Sequence, residues 1–261
     1  MTLHIDKLGH GPLPMVLLHG WAMHGGVMQP LVDALAAQCT LYVVDLPGHG
    51  LSRSSAVPLE PRACAAAIAA LTPPAIWLGW SLGGLIALSA ALDLPQHVRA
   101  LVMLCATPRF VRDARWPYGT DPAFVGQLAT NLETDYHATI EHFLALEAMG
   151  SADPRAELRQ LRALVFSRGE PDARVLKEGI DILERSDRRA ALPDLCVPSV
   201  WISGHRDRLV PPQAMQWSAS QCGGTSVDID KAGHAPFFSH ADEVARALAP
   251  LLAAASTRPM P

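Results

Sequence analysis

The sequence predicts a single α/β fold in which a mostly parallel, doubly wound sheet is covered by helices on both faces. Short runs of β-branched and aliphatic residues alternate along the chain with segments of helical length, an order that produces parallel strands joined by helices. Each short run is almost continuously apolar, as expected for strands that are buried on both faces. With 261 residues and a hydrophobic share of 49%, the chain is long enough to bury a large core.

Six short runs are predicted as strands and four core segments as helices. The strands are residues 15–19, 41–45, 75–79, 98–105, 200–204 and, with a weaker pattern, 226–229. The helices are residues 27–37, 61–71, 82–94 and 241–255. Helices of this length allow the chain to cross back over the sheet, so that successive strands run parallel.

Residues 108–190 interrupt this alternation. They show no convincing strand pattern, but contain helical segments at 136–149, 154–166 and 172–185. Asp153 followed by Pro154 is a helix-start signal, because the aspartate can cap and the proline needs no amide partner. The predicted organisation is a discontinuous α/β core (1–107 and 191–255), a helical lid inserted after a central strand (108–190) and a flexible tail (256–261).

Composition argues against several classes of function. A net charge of −4 gives no general attraction to nucleic acid. The five cysteines are scattered without a CxxC pair, which is typical of reduced, buried thiols. No stretch is apolar enough to span a bilayer, and the N-terminus lacks the pattern of a signal peptide. Without an HExxH, P-loop or dinucleotide motif, we expect a cytoplasmic protein without a metal or other cofactor, and no nucleic-acid or membrane partner.

The strongest chemical signal is Gly-Trp-Ser-Leu-Gly at residues 79–83, between a predicted strand and a predicted helix. A G-x-S-x-G motif in this setting is the nucleophile elbow of serine hydrolases. The tight turn strains the serine backbone, while the glycines allow strand and helix to approach closely. The start of the helix also points amide groups at the serine oxygen. Ser81 is the predicted nucleophile.

The predicted base is His234. It lies in Lys-Ala-Gly-His-Ala-Pro-Phe-Phe at residues 231–238, after the last strand and before the final helix. The order in this type of hydrolase is serine, acid, histidine. His240 is the main alternative, but it stands where the final helix should begin, so we expect it to serve as a helix start.

The predicted acid is Asp207, which follows the strand at 200–204. A carboxylate there would accept the second imidazole N–H, fix the tautomer and stabilise the imidazolium ion. A solvated turn aspartate is the simpler alternative for this position. Other aspartates in the same part of the chain remain open as the acid. They are Asp194, Asp228 and Asp230.

The oxyanion of an acyl-transfer reaction needs two amide donors. One is predicted to be the N–H of Leu82, directly after the serine. The other is the N–H of Trp21, which follows the strand at 15–19 in His-Gly-Trp. The turn at 45–52, rich in proline and glycine, lies near the same edge and is expected to be structural.

Motifs along essentially the whole chain resemble the α/β-hydrolase superfamily. They are HGW at 19–21, DLPGHGLS at 45–52, GWSLGG at 79–84, GHRDRLVP at 204–211 and AGHAPF at 232–237. A narrower resemblance is to the biotin-pathway carboxylesterases that hydrolyse the methyl ester of pimeloyl-acyl-carrier protein. It rests on AIWLGWSLGGL at 75–85, VRALV at 98–102 and especially FLALEAMG at 143–150.

The resemblance implies a monomeric serine esterase whose partner is an acyl-carrier protein bearing a methyl pimeloyl group. It implies the triad Ser81, Asp207 and His234, with Trp21 and Leu82 as oxyanion amides. These residues other than Asp207 would also contact substrate. Further substrate contacts implied in the helical insertion are Phe143, Leu144, Ala145, Leu146 and Glu147.

The resemblance also implies that arginines of the insertion hold the acidic carrier protein. Arg155, Arg159 and Arg162 recur at i, i+4 and i+7, and therefore share one face of a helix. Leu158, Leu161 and Val165 form a separate apolar stripe. A solvated amphipathic helix would show the same pattern. Where related insertions carry arginine, this chain has Ala138 and His142, which weakens the expectation of strong carrier binding.

Two other functions remain open. The chain could be a general short-chain carboxylesterase or another small-molecule α/β hydrolase. Haloalkane dehalogenation is disfavoured, because the elbow carries a serine instead of a carboxylate. The fold can also serve as a ligand receptor with little turnover, but the complete set of Ser81, Asp207 and His234 argues against a purely binding role.

Overall fold

A computed structural model describes residues 2–151 and 153–257 of the chain. The described residues form a seven-stranded sheet with the order β1-β3-β2-β4-β5-β6-β7. The strands are β1 (Ile5–Leu8), β2 (Leu13–Leu18), β3 (Cys39–Val44), β4 (Ala75–Trp80), β5 (Val98–Leu104), β6 (Ser199–Gly204) and β7 (Thr225–Ile229). Strands β2 to β7 pair in parallel, and β1 runs antiparallel to β3. The predicted α/β-hydrolase fold is confirmed.

Strand β1 is a feature that the sequence pattern did not predict. It is four residues long, lies at the edge of the sheet, and contains Asp6 and Lys7. An edge strand is covered less completely than a central strand, so it does not need a continuous apolar run. The central strands β4 and β6, by contrast, are buried at every residue, which is why their apolar runs are visible in the sequence.

Ten α-helices lie within the described part of the chain. They are α1 (Gln29–Leu35), α2 (Pro61–Ala69), α3 (Leu82–Asp93), α4 (Pro122–Thr134), α5 (Tyr136–Ala148), α6 (Pro154–Val165), α7 (Ala173–Arg185), α8 (Pro212–Gln221), α9 (Pro236–Ser239) and α10 (Ala241–Thr257). Three of them, α4, α8 and α9, were not predicted from the sequence. None of the described helices is long and apolar enough to cross a membrane.

The final helix is longer than predicted. It continues to Thr257, so residues 256 and 257, which were expected to belong to a flexible tail, extend the helix. The rest of that predicted tail, residues 258–261, lies outside the described residues.

The segment between β5 and β6 carries α4 to α7, in the region expected to form a lid. Helix α5 packs against α6, and α4 against α7. The segment is tied to the sheet by Arg168, whose guanidinium contacts Asp6 at 2.7 Å and the fully buried Asp45 at 3.2 Å. A second tie is the indole N–H of Trp21, which donates to the carbonyl of Leu176 in α7 at 2.8 Å.

Helix α3 starts one residue after β4 ends, and its first turn approaches the ends of both β2 and β4 with no room for side chains. A Cβ atom placed on Gly83 would lie 2.5 Å from the carbonyl oxygen of Leu18 and 2.6 Å from that of His19. A Cβ atom on Gly79 would lie 2.3 Å from the carbonyl oxygen of Gly83. These obstacles are backbone atoms that cannot rotate away, so glycine is required at both positions.

The close approach predicts that Gly83→Ala lowers the free energy of unfolding by about 1–3 kcal/mol or more, because the extra methyl group forces α3 away from the end of β2. Gly126→Ala is the matched control. Gly126 lies inside α4, and a methyl group added there would meet no neighbouring atom within 4 Å, so alanine should stabilise by about 0.5–1 kcal/mol. Urea unfolding of the three proteins measures both effects. Equal stability of Gly83→Ala and its parent would contradict the close approach.

Candidate active site

Ser81 lies at the turn between β4 and α3. Its backbone has φ 54° and ψ −120°, a conformation that non-glycine residues rarely adopt. The strain is held by the surrounding structure: the Ser81 N–H donates to the carbonyl of Leu104 in the next strand at 3.1 Å, and α3 continues from the following residue. The hydroxyl is thereby presented at the carboxyl edge of the sheet.

A chain of hydrogen bonds joins three predicted site residues. Nε2 of His234 lies 2.9 Å from Oγ of Ser81, and Nδ1 lies 2.8 Å from Oδ2 of Asp207. Asp207 is an acceptor, so the Nδ1–H of the neutral imidazole donates to it and Nε2 accepts from the serine hydroxyl. All three residues are buried. This arrangement can remove the serine proton as the oxygen attacks an electrophile.

The carboxylate of Asp207 is fixed on both oxygens. While Oδ2 faces His234, Oδ1 accepts the N–H groups of Leu209 at 2.8 Å and Val210 at 3.0 Å. These bonds belong to the turn that follows β6. The carboxylate of Asp207 is therefore oriented by amides of its own loop, independently of its contact with the imidazole.

The loop of His234 is held against the turn after β6 and against the elbow. A Cβ atom on Gly204 would lie 2.0 Å from the carbonyl oxygen of Gly233, so the two loops touch through backbone. The indole N–H of Trp80, the residue before the serine, donates to the carbonyl of His234 at 2.8 Å. The three parts of the site thus position one another.

The residues considered as an alternative base or an alternative acid do not take part in the hydrogen-bonded chain of Ser81, His234 and Asp207. His240 precedes α10, where its carbonyl accepts the N–H groups of Glu243 and Val244, and its ring contacts Ser239 at 2.8 Å. Asp228 pairs with His205 at 2.6 Å. The remaining two aspartates, Asp194 and Asp230, are exposed. The acid that accepts the hydrogen bond from the imidazole of His234 is Asp207.

The two predicted oxyanion amides lie beside Ser81. Leu82 is the first residue of α3, where N–H groups have no partner within the helix and the helix dipole is positive. Trp21 is placed by its neighbour: a Cβ atom on Gly20 would lie 3.2 Å from Cβ of Ser81. The backbone that follows β2 and the start of α3 therefore both lie next to the serine.

The predicted substrate segment forms the last two turns of α5. Phe143 and Leu144 are buried, Ala145 and Leu146 are partly exposed, and Glu147 is fully buried. The ring of Phe143 packs edge-on against Trp21 with centroids 4.8 Å apart. At the other end of the segment, a Cβ atom on Gly233 would lie 3.4 Å from the carbonyl oxygen of Glu147. The segment therefore spans from the Trp21 side of the site to the His234 loop.

Two buried acids of the insertion were not anticipated as a pair. Neither carboxyl oxygen of Glu147 has a hydrogen-bond partner among the described residues. Burial, with repulsion from Glu157 and Asp207, raises the pKa of Glu147 well above its usual value. Burial also raises the pKa of Glu157 to about 7, although its Oε2 accepts from Ser239 at 3.4 Å. Both side chains are therefore held in surroundings that favour the neutral acid.

A signal for Glu157 was present in the sequence. The buried residues of α6 are Glu157, Leu161 and Val165, spaced four apart. The expected apolar stripe began instead at Leu158, which is only partly buried. The spacing of four identifies the inward face, and a charged residue on that face marks an unusual environment.

Cys105 lies next to the triad, and its Sγ is within 4.8 Å of ligand atoms of Asp207 and His234. This set does not fit a metal ion. Burial raises the pKa of the Cys105 thiol well above its usual range, and metals bind the thiolate. The aspartate and the histidine are also already bonded to each other.

The turn at 45–52 is organised around Asp45. Its Oδ1 accepts the N–H of Gly25 at 2.6 Å, and its Oδ2 accepts the N–H of Leu51 at 2.8 Å. His19 is bonded on both nitrogens, to the carbonyl of Gly20 at 2.8 Å and the N–H of Leu46 at 2.9 Å. These contacts fix the strand end that leads to Trp21.

The fold and the bonded serine, histidine and aspartate define a hydrolase of the α/β class. The chain belongs to the α/β-hydrolase family, whose model, described as the alpha/beta hydrolase fold, matches residues 14–241. The resemblance read from the sequence motifs is confirmed.

Curated relatives narrow the family further. A relative from Stenotrophomonas maltophilia (strain K279a) is 54% identical over 97% of this chain and 98% of its own length. One from Xanthomonas oryzae pv. oryzae (strain MAFF 311018) is 53% identical over 94% of this chain and 97% of its own length. Both are named pimeloyl-[acyl-carrier protein] methyl ester esterase.

Solved structures share the fold at low sequence identity. An esterase from Exiguobacterium antarcticum superposes with a TM-score of 0.86 at 20% identity, covering 96% of this chain and 95% of its own. The enol-lactonase from Burkholderia xenovorans LB400 superposes with a TM-score of 0.82 at 19% identity, covering 96% of each chain. At these identities the likeness concerns the fold alone.

The raised pKa of Glu157 predicts a pH-dependent stability. Between its ordinary value of 4.5 and about 7, the folded chain holds a proton that the unfolded chain releases, so stability falls as pH rises through this window. Glu157→Gln cannot ionise and escapes the loss. The difference in free energy of unfolding between the variant and its parent should therefore be roughly 2 kcal/mol more favourable to the variant at pH 8 than at pH 5.

Urea unfolding at the two pH values measures this difference. Glu184→Gln is the matched control, because Glu184 is an exposed glutamate on α7 whose side chain remains in contact with water in the folded protein. If Glu157→Gln differed from its parent by the same amount at pH 5 and pH 8, the neutral buried acid would be the wrong description.

Proposed function

We propose that the chain is a serine carboxylesterase that hydrolyses the methyl ester of pimeloyl-acyl-carrier protein in biotin biosynthesis. The products are pimeloyl-acyl-carrier protein and methanol. The observation that carries the proposal is the bonded set of Ser81, His234 and Asp207, in a chain 54% identical, over nearly its full length, to a relative named for this activity.

In the first half of the proposed reaction, Ser81 attacks the ester carbonyl. His234 Nε2, at 2.9 Å from Oγ, takes the hydroxyl proton, and Asp207 stabilises the resulting imidazolium. The carbonyl oxygen becomes an oxyanion that accepts from the N–H groups of Trp21 and Leu82. His234 then gives its proton to the departing methoxide, which leaves as methanol.

In the second half, water attacks the acyl-serine. His234 accepts a proton from that water, the same two amides bind the oxyanion, and the proton returns to Ser81 Oγ as the acid leaves. Every group that the reaction requires comes from one chain, which supports a monomer as the working unit. We place the reaction in the cytoplasm, with the pathway that supplies the carrier-linked ester.

The proposal assigns carrier binding in part to α6. Arg155, Arg159 and Arg162 are all exposed, but they are not equivalent. Arg162 contacts Glu141 of α5 at 2.5 Å, so its charge is already offset. We therefore assign attraction of the acidic carrier to Arg155 and Arg159.

The triad assignment predicts severe losses on substitution. Ser81→Ala, His234→Ala and Asp207→Asn should each lower kcat by at least about 10³-fold, since nucleophile, base and tautomer control act as one unit. His240→Ala is the matched control and should retain activity. Steady-state hydrolysis of the carrier-linked methyl ester measures kcat, and circular dichroism checks the fold. If His240→Ala abolished activity and His234→Ala did not, the general base would be His240 and the assignment of His234 would be wrong.

The lid arginines predict a change in KM. Arg155→Ala with Arg159→Ala should raise KM for the carrier-linked ester about fivefold or more, whereas Arg162→Ala should raise it less, because Glu141 already pairs with it. Parent KM should also rise with salt, since screening weakens attraction between exposed charges. Hydrolysis of p-nitrophenyl acetate, a small neutral ester, reports on the triad without the carrier.

The same measurements separate the carrier-specific enzyme from a general short-chain carboxylesterase. A parent protein that hydrolyses small esters but leaves the carrier-linked methyl ester intact would be the general enzyme. Unchanged KM in the Arg155 and Arg159 double variant would make the basic face of α6 a solvated helix surface.

A further inference from the structure

Three exposed cations lie on loops of the core at the border of the candidate active site. Arg206 and Arg208 flank Asp207 in the loop after β6, and Lys231 lies three residues before His234 in the loop after β7. Together with Met149, at the end of α5, we call these residues the core-loop patch.

Backbone contacts make the patch continuous. The N–H of Arg206 donates to the carbonyl of Ala232 at 2.9 Å, which joins the loops after β6 and β7. A Cβ atom on Gly150 would lie 2.5 Å from the carbonyl oxygen of Arg206, and one on Gly233 would lie 2.9 Å from that of Met149. The end of α5 is therefore pressed against both core loops.

Met149 gives the patch an apolar centre. Its side chain is 46% exposed, one of three large hydrophobic residues that are exposed on the described surface. Exposure of the apolar methionine side chain to water is unfavourable, and a partner that covers it would gain that free energy of burial. Methionine and arginine are also enriched where proteins bind other proteins.

The charge of the patch is positive. Among the described residues, none of its three cations has a carboxylate at ion-pair distance. The nearby acids are otherwise engaged: Asp207 is buried against His234, and Asp228 pairs with His205 at 2.6 Å. Asp230 is a second exposed acid of the same loops, so three cations stand against two exposed carboxylates and leave a local excess of positive charge in a chain of net charge −4.

The patch also adjoins the start of α6, which carries Arg155. A Cβ atom on Gly233 would lie 3.1 Å from the backbone nitrogen of Ser151, and α6 begins three residues later with Arg155 in its first turn. Cations of the insertion and cations of the core therefore border the loop of His234 from two sides.

We propose that the core-loop patch is a second docking surface for the acidic acyl-carrier protein, complementary to Arg155 and Arg159. The inference rests on the proposed function and extends it, since it places carrier contacts on the core as well as on the insertion. Acidic side chains of the carrier pair with Arg206, Arg208 and Lys231, and an apolar side chain covers Met149. A carrier seated on both surfaces has its acyl arm directed at the loop that bears His234.

The test is the double variant Arg206→Ala with Lys231→Ala. The ratio of kcat/KM for the carrier-linked methyl ester to kcat/KM for p-nitrophenyl acetate should fall by about tenfold, mainly through KM, and the dependence of KM on salt should weaken. Met149→Gln should raise KM for the carrier-linked ester with the salt dependence unchanged. The matched control is Arg115→Ala with Arg246→Ala, which removes the same charge from exposed arginines elsewhere.

Failure of the inference is distinguishable from failure of the proposed function. A parent protein inactive on the carrier-linked ester would overturn the proposed function. A parent active on it, with KM and salt dependence unchanged in the double variant, would overturn the docking surface. An equal loss in the control variant would mean that net charge alone matters, and an unchanged KM for Met149→Gln would remove the apolar centre, so either result also overturns the proposal.

Discussion

The close approach of β4 and α3 is the constraint on which the rest of the site depends. Gly79 and Gly83 touch through backbone with no space for a methyl group, and this contact holds Ser81 at φ 54°. A wider turn would move the serine oxygen away from the imidazole and from the first amides of α3. The strained serine is thus a consequence of helix and sheet packing, which supplies the free energy that the strain costs.

Parallel strands bring distant parts of the chain to the same edge. The serine follows β4, the aspartate follows β6 and the histidine follows β7, so all three lie where these strands end. Topology alone brings the loops near each other, and the backbone contact between Gly204 and Gly233 fixes their distance. Hydrogen bonds to Asp207 Oδ1 then set the direction of the carboxylate. Strand topology, loop contact and hydrogen bonding thus restrict the positions of the three side chains in succession.

The features that could be predicted from the sequence are those for which burial or close backbone packing restricts the residue types. Central strands are buried on both faces and show as apolar runs, and the elbow shows as a glycine pattern, so both were readable. Edge strand β1 is half polar and short, and α8 is largely polar with small residues, so neither leaves a pattern. Contacts between side chains on different elements leave none either: the pairing of Arg162 with Glu141, and the burial of Glu157, depend on how α5 and α6 pack.

The helical insertion is attached to the core in two chemically different ways. At Arg168, the guanidinium forms ion pairs with Asp6 and with the fully buried Asp45. At α5 and α6, Glu147 and Glu157 are buried without full hydrogen bonding, which costs free energy and is tolerated best while both acids are neutral. Apolar side chains at those positions would pack without that cost. The attachment beside the His234 loop therefore depends on two buried acids staying neutral, whereas the attachment at Arg168 is made by ion pairs.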